Sequence, residues 1–220
     1  HVLNAYNMQM RDDLFEIIQS IKDDDDIKSV LISGQGRAFC SGADLTEFGT
    51  APSQAIAREV RWQRDVWGQL YSLDKPVISA LHGYCIGSGL ELALLSDIRI
   101  SSPETKFSMP EVQLGMIPAA GGTQTLPGHA GVSSGLELLL TGRIFTAEEA
   151  LNLKLLTQIV PTHKLTETAL NVCQNLCRVP MNILSATKLA LRESTDLEMG
   201  AAVSLGSRQS LSTFNSYHGP

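Results

Sequence analysis

No run in this sequence approaches the roughly eighteen consecutive apolar residues that cross a bilayer, and no signal-peptide pattern opens it. A membrane partner is therefore not expected. Basic residues are in the minority: 17 Lys and Arg stand against 23 Asp and Glu, for a net charge of −6. That balance argues against nucleic acid or anionic lipid as the main partner, while leaving room for a local basic site that holds a phosphorylated ligand. Cysteine is scarce and poorly spaced for metal. Cys40, Cys85, Cys173 and Cys177 form no CxxC pair and no zinc pattern, so no metal site is expected. They read as reduced, mostly buried thiols, which favours a reducing compartment. The expected location is the cytoplasm in a bacterium or archaeon, or the mitochondrial matrix or a peroxisome in a eukaryote, without secretion. Internal repeats and low-complexity tracts are absent too.

What is present is an ordinary globular composition, 43% hydrophobic and 18% charged, over 220 residues. That length fits one domain, or one domain with an appendage, and can bury a core without disulfide staples. Met8 to Asp23 has helical periodicity, with Leu14, Ile17, Ile18 and Ile21 on one face. Ser29 to Ser33 and Lys75 to Leu81 read as short buried strands, with further strand candidates at Ile98 to Ile100, Lys106 to Ser108 and Gln158 to Val160. Pro52 to Leu73 is largely helical and polar-faced. A helix is predicted from Gly89 to about Ser96, and short ones over Gly121 to Leu126 and Ser133 to Leu140. Thr146 with Glu149 three residues on forms a capping-box pattern. From His163 onward the chain is helical, broken at Pro180. Strands alternating with helices predict an α/β fold with a mostly parallel sheet. Chemistry in such folds gathers at strand-to-helix turns, here Gly34–Asp44 and Gly83–Glu91.

Two glutamates carry the chemistry. Glu91 follows Cys85-Ile86-Gly87-Ser88-Gly89-Leu90, and Glu111 follows Ser108-Met109-Pro110. Their neighbours are apolar or small, so neither belongs to a solvated charged face. Paired carboxyls suit reactions that take one proton and give another, because an apolar pocket can hold one neutral and the other charged.

Gly87-Ser88-Gly89 admits several readings. A dinucleotide fingerprint fails at Leu92, where a third glycine is required. A nucleophile elbow fails at Ile86 and Leu90. The turn is then either a plain tight turn or a place where backbone N–H groups at a helix start meet an oxyanion. The loop Arg37-Ala38-Phe39-Cys40-Ser41-Gly42-Ala43-Asp44 can present a second such N–H, or simply connect a strand to a turn capped by Asp44. Arg37 is a surface residue or a phosphate clamp. His82 reads as a structural histidine in preference to a base, and Asp97 as an anchor for the turn after the helix that carries Glu91.

Taken together, Arg37-Ala38-Phe39-Cys40-Ser41-Gly42-Ala43-Asp44-Leu45, Lys75-Pro76-Val77-Ile78-Ser79-Ala80, Glu91-Leu92-Ala93, Pro110-Glu111-Val112-Gln113-Leu114-Gly115 and Gly121-Gly122-Thr123-Gln124 resemble the crotonase superfamily. The nearest likeness is to enoyl-CoA hydratases. Thr141-Gly142-Arg143 before Thr146 to Ala150 is typical as well. The resemblance covers about Asn4 to Val160 and extends more weakly into the C-terminal helices. It implies a ββα-superhelix core over residues 1–160 and a helical trimerisation region over 161–220, assembled as a homotrimer or homohexamer. The family usually has a strand or hairpin before Asn4 and a further helix after Tyr217, so the core is expected to lack its first strand or hairpin and the C-terminal region to be incomplete. The implied substrate is an acyl-CoA thioester, with coenzyme A part of the substrate and no separate cofactor. Glu91 and Glu111 match the catalytic glutamates, and the backbone N–H groups of Ala43 and Ser88 match the oxyanion donors. Arg37, Ser41, Ala43, Asp44, Leu45, Gly87, Pro118 and Ala119 match positions along the substrate and CoA site. Ala119 departs from a common glycine and would reshape the pocket beside the water. The implied reaction is hydration of an enoyl-CoA. Its rivals are other crotonase reactions (isomerisation, C–C hydrolysis or decarboxylation) and a non-catalytic CoA- or RNA-binding scaffold.

Overall fold

The computed structural model describes residues 3–216. Its frame is a four-stranded parallel sheet in the order β1-β2-β4-β7, with β1 Val30–Ser33, β2 Val77–Leu81, β4 Ile98–Ser101 and β7 Gln158–Ile159. A second sheet runs β3-β5-β6, with β3 Tyr84–Ile86 parallel to β5 Lys106–Ser108, and β5 antiparallel to β6 Phe145–Thr146. The chain passes from one sheet to the other and then into a helix. Thus β2 leads to β3 and to α4 (Ser88–Leu94), and β4 leads to β5 and a 3₁₀ turn over Glu111–Leu114. This is the expected ββα winding on an α/β frame with a helical C-terminal region. Both expected truncations, ahead of Asn4 and after Tyr217, lie outside the described residues.

β2 is buried along its whole length. Its period-two alternation sends Ile78 and Ala80 to one face, where they meet Leu165, Ala169 and Cys173 of α8 (Leu165–Leu176). Val77 and Leu81 face the larger core with Leu90, Phe107 and Leu126. The helical region beyond residue 160 thus supplies one cover of the sheet. After α8, α9 (Met181–Ser194) and α10 (Met199–Ser216) form a hairpin. Asp97 ties it down: its carboxylate accepts the Val77 N–H at 2.8 Å, Lys188 Nζ at 2.6 Å and Arg192 Nη2 at 3.0 Å. One residue therefore fixes a strand start and a distant helix together.

Several local expectations change on tertiary contact. α1 does run Met8–Asp23, capped by Asn7, but Ile17 is 52% exposed while Ile18 is buried with Leu14 and Ile21 packed beside it. The stretch from Pro52 divides into α2 (Gln54–Gln63) and α3 (Val66–Ser72), because Asp65 caps the second helix by accepting the Gly68 N–H at 3.0 Å. The helices α5 (Gly122–Ala130) and α6 (Val132–Thr141) are longer than expected. Thr146 accepts the Glu149 N–H and caps α7 (Ala147–Asn152). All four cysteines are free, and His82 is a structural group whose ring bonds the Gly36 carbonyl at 3.0 Å. Among the described residues no helix is long and apolar enough to cross a membrane, and no cluster of His, Cys, Asp and Glu is arranged to hold a metal ion.

Candidate active site

Two loops are brought edge to edge by backbone pairing. The Cys40 N–H donates to the Tyr84 carbonyl at 3.0 Å, and the Ile86 N–H to the Cys40 carbonyl at 3.0 Å. A residue with a side chain could not replace Gly89 in this arrangement, since its Cβ would lie 2.7 Å from Cys40 Cβ. Gly42 and Gly87 both take positive φ, +102° and +51°. On its other side the first loop pairs with the N-terminal segment. The Tyr6 N–H donates to the Gly42 carbonyl at 2.8 Å and the Asp44 N–H to the Tyr6 carbonyl at 2.9 Å. Strand alternation then turns the N–H of Ala43 away from Tyr6. Ser88 is the first residue of α4, so its N–H precedes the first intrahelical bond. Both residues line one cavity of about 460 Å³.

The two glutamates line the same cavity. Glu91 sits in α4 at 2% exposure. Its Oε1 accepts the Ala120 N–H at 2.8 Å and the Gly122 N–H at 2.9 Å, at the start of α5. The approach depends on Gly122, whose added Cβ would lie 2.8 Å from Pro118 Cβ and 3.0 Å from Glu91 Oε1. Glu111 opens its 3₁₀ turn behind Pro110, and Oε1 reaches the Gly87 backbone closely enough that a Cβ there would lie 2.7 Å away. Its Oε2 is buried without a hydrogen-bond partner.

Burial raises the carboxyl pKa of both. For Glu91 the rise is opposed by the Gly122 and Ala120 N–H groups and by the positive charge of Arg61. For Glu111 it is opposed by its own backbone N–H and reinforced by the charge of Glu91. A carboxyl whose folded pKa exceeds its unfolded value favours the fold at low pH and costs stability as pH rises through the folded value. Glu91→Gln is therefore expected to melt at a higher temperature than wild type at pH 8. The gap should close as pH falls toward the ordinary carboxyl value of 4.5. Thermal melts across that range check this; a variant less stable than wild type at pH 8 would contradict it.

Of the residues read from sequence, Ser41, Ala43, Leu45, Gly87, Ser88, Glu91, Glu111 and Ala119 line the cavity. Pro118 is buried behind Gly122. Asp44 caps a 3₁₀ turn by accepting the Thr46 N–H, and Arg37 is exposed; neither lines the cavity. The opposite wall was not foreseen. Tyr6, Arg11, Arg61, Arg64 and Trp67 come from the N-terminal segment, α1, α2, the C-cap of α2 and α3. The rings of Tyr6 and Trp67 stand 5.2 Å apart, and Arg61 donates to the Ala119 carbonyl. The only sequence signal was arginine at Arg58, Arg61 and Arg64, a helical spacing indistinguishable from that of a solvated face.

Residues 1–218 match the family described as enoyl-CoA hydratase/isomerase. The chain belongs to that family. Among members of the enoyl-CoA hydratase/isomerase family it is 34% identical over 200 residues to 2,3-dehydroadipyl-CoA hydratase of Escherichia coli (strain K12), covering 91% of this chain and 78% of that protein. It is 37% identical over 176 residues to the fatty acid oxidation complex subunit alpha of Shewanella frigidimarina (strain NCIMB 400), covering 78% of this chain but only 25% of that protein. A protein of Thermobifida fusca YX solved in complex with CoA superposes with a TM-score of 0.92 at 30% identity, over 98% of this chain and 86% of that one.

Proposed function

We propose that the protein is an enoyl-CoA hydratase, adding water reversibly and in syn fashion to a trans-2-enoyl-CoA to give a 3-hydroxyacyl-CoA. The observation that carries this is a pair of carboxyls facing one cavity with unequal partners. Burial raises the carboxyl pKa of both; at Glu91 two N–H groups and Arg61 oppose that rise, whereas the buried Oε2 of Glu111 has no hydrogen-bond partner. Glu91 thus orients water and takes a proton from it as the oxygen bonds to C3. Electrons of the double bond move to the thioester oxygen, where the N–H groups of Ala43 and Ser88 hold the enolate. Glu111 then delivers a proton to C2. Electrons redistribute within the thioester, and return of a proton from Glu91 to Glu111 through solvent resets the pair, so the net reaction consumes only water. Turnover of crotonyl-CoA, followed as loss of the conjugated thioester's absorbance, tests the reading. A folded protein that leaves that absorbance unchanged across a panel of enoyl-CoAs of several chain lengths, with and without a terminal carboxylate, would overturn it.

The proposed assembly is a trimer or hexamer. Val132, Leu136 and Leu140 of α6 are 69%, 52% and 70% exposed, and Met199, Val203 and Phe214 of α10 are 77%, 60% and 75% exposed. Apolar helix faces on this scale mark contact surfaces. Light scattering at micromolar concentration should give a trimeric or hexameric mass. A monomer with full activity would contradict the assembly.

A further inference from the structure

The geometry points to an acyl-CoA whose acyl chain ends in a carboxylate, with Arg61 as the residue that reads that end. This inference rests on the hydratase reading of the same cavity. With the thioester oxygen at Ala43 and Ser88, carbons C2 and C3 lie between Glu91 and Glu111. The cavity that would take the chain beyond C3 is also lined by Ala119 and Ala120, next to the N–H groups that hold Glu91. Arg61 docks on this segment through the Ala119 carbonyl. Arg11 and Arg64 line the same cavity. These two are already engaged: Arg11 with Asp12, and Arg64 with Asp12 and Glu16.

Arg61 differs. Among the described residues it makes no ion pair, and it donates a hydrogen bond to the Ala119 carbonyl. A guanidinium carries five N–H donors in a planar fork suited to a carboxylate. The Arg61 charge also favours the ionised form of Glu91, but a purely alkyl chain adds no partner for the guanidinium and would have to desolvate it. Arg61 remains solvent-accessible, so a terminal carboxylate can pair with it while keeping part of its hydration.

The test is calorimetric binding of adipoyl-CoA and hexanoyl-CoA, saturated thioesters of equal carbon count that cannot be hydrated, with free CoA as reference. Wild type should bind adipoyl-CoA roughly tenfold or more tightly than hexanoyl-CoA, as expected for hydrogen bonds to a charged group. Arg61→Met should abolish that preference, and Arg61→Lys should retain part of it. Equal wild-type affinities would overturn the inference, and do so even if the methionine variant fails to fold. Equal weakening of adipoyl-CoA, hexanoyl-CoA and free CoA in Arg61→Met would overturn it too, because Arg61 would then be reading the phosphates of CoA. Binding is measured without turnover, so an inactive enzyme defeats the hydratase reading but leaves this comparison decisive.

Discussion

Glu91→Gln and Glu111→Gln should each lower turnover of an enoyl-CoA by about 10²–10⁴-fold, with CoA binding close to that of wild type. Glutamine keeps the size and one carbonyl oxygen, so the Ala120 and Gly122 N–H groups retain an acceptor at position 91. What is lost is proton transfer. The double variant should fall little below the worse single variant, because in the proposed mechanism both groups act on one water and one enolate, and groups acting as a unit are not additive. Steady-state kinetics on the two single variants and the double variant, with CoA affinity measured separately, reads all of this. Near-normal turnover in either single variant would rule out the two-carboxyl mechanism.

Much of the frame was legible because it rests on local chemistry. Asn7 and Thr146 are side-chain caps that work within a single turn, and the helix and turn they begin were expected at those positions. The all-buried β2 announced itself as an apolar run. By contrast, β3 is three residues between glycines, read from sequence as part of a turn. Its strand character comes from Cys40 on one side and from β5 on the other. β6 is likewise held by β5. Arg99 shows the same limit. It is buried at 6% exposure, with Nε on the Leu155 carbonyl at 2.6 Å and Nη1 on the Ser96 carbonyl, and burial lowers its pKa to about 10. Nothing in Ile98-Arg99-Ile100 distinguishes that arginine from a surface one. At the site, the glutamates and glycine loops stood out because their neighbours were small or apolar. Tyr6 and Arg61 did not, because they enter the cavity only through contacts with Ala43 and Ala119 far along the chain.

Ser88→Ala should be nearly silent and Ser88→Pro should lose roughly 10²–10³ in rate, the usual cost of one oxyanion donor. The contrast isolates the backbone. Alanine removes only the hydroxyl. Proline removes the N–H, and it does so at the first residue of α4, a position where its fixed φ is compatible with a helix. Its ring also restricts Gly87, which already holds φ +51° and ψ −122°, so circular dichroism and melting temperature should accompany the rate. At Ala43, glycine should be mild and proline severe for the same reason. A folded but inactive Ser88→Ala, with acyl-enzyme detected by mass spectrometry, would instead assign a serine nucleophile.

The most direct measurement is the mass of the product formed from a trans-2-enoyl-CoA in water labelled with oxygen-18. Hydration through Glu91 and Glu111 predicts a 3-hydroxyacyl-CoA that carries one labelled oxygen at C3. A product of unchanged mass would show isomerisation through the same enolate, and an unlabelled or cleaved thioester would contradict addition of water across the double bond.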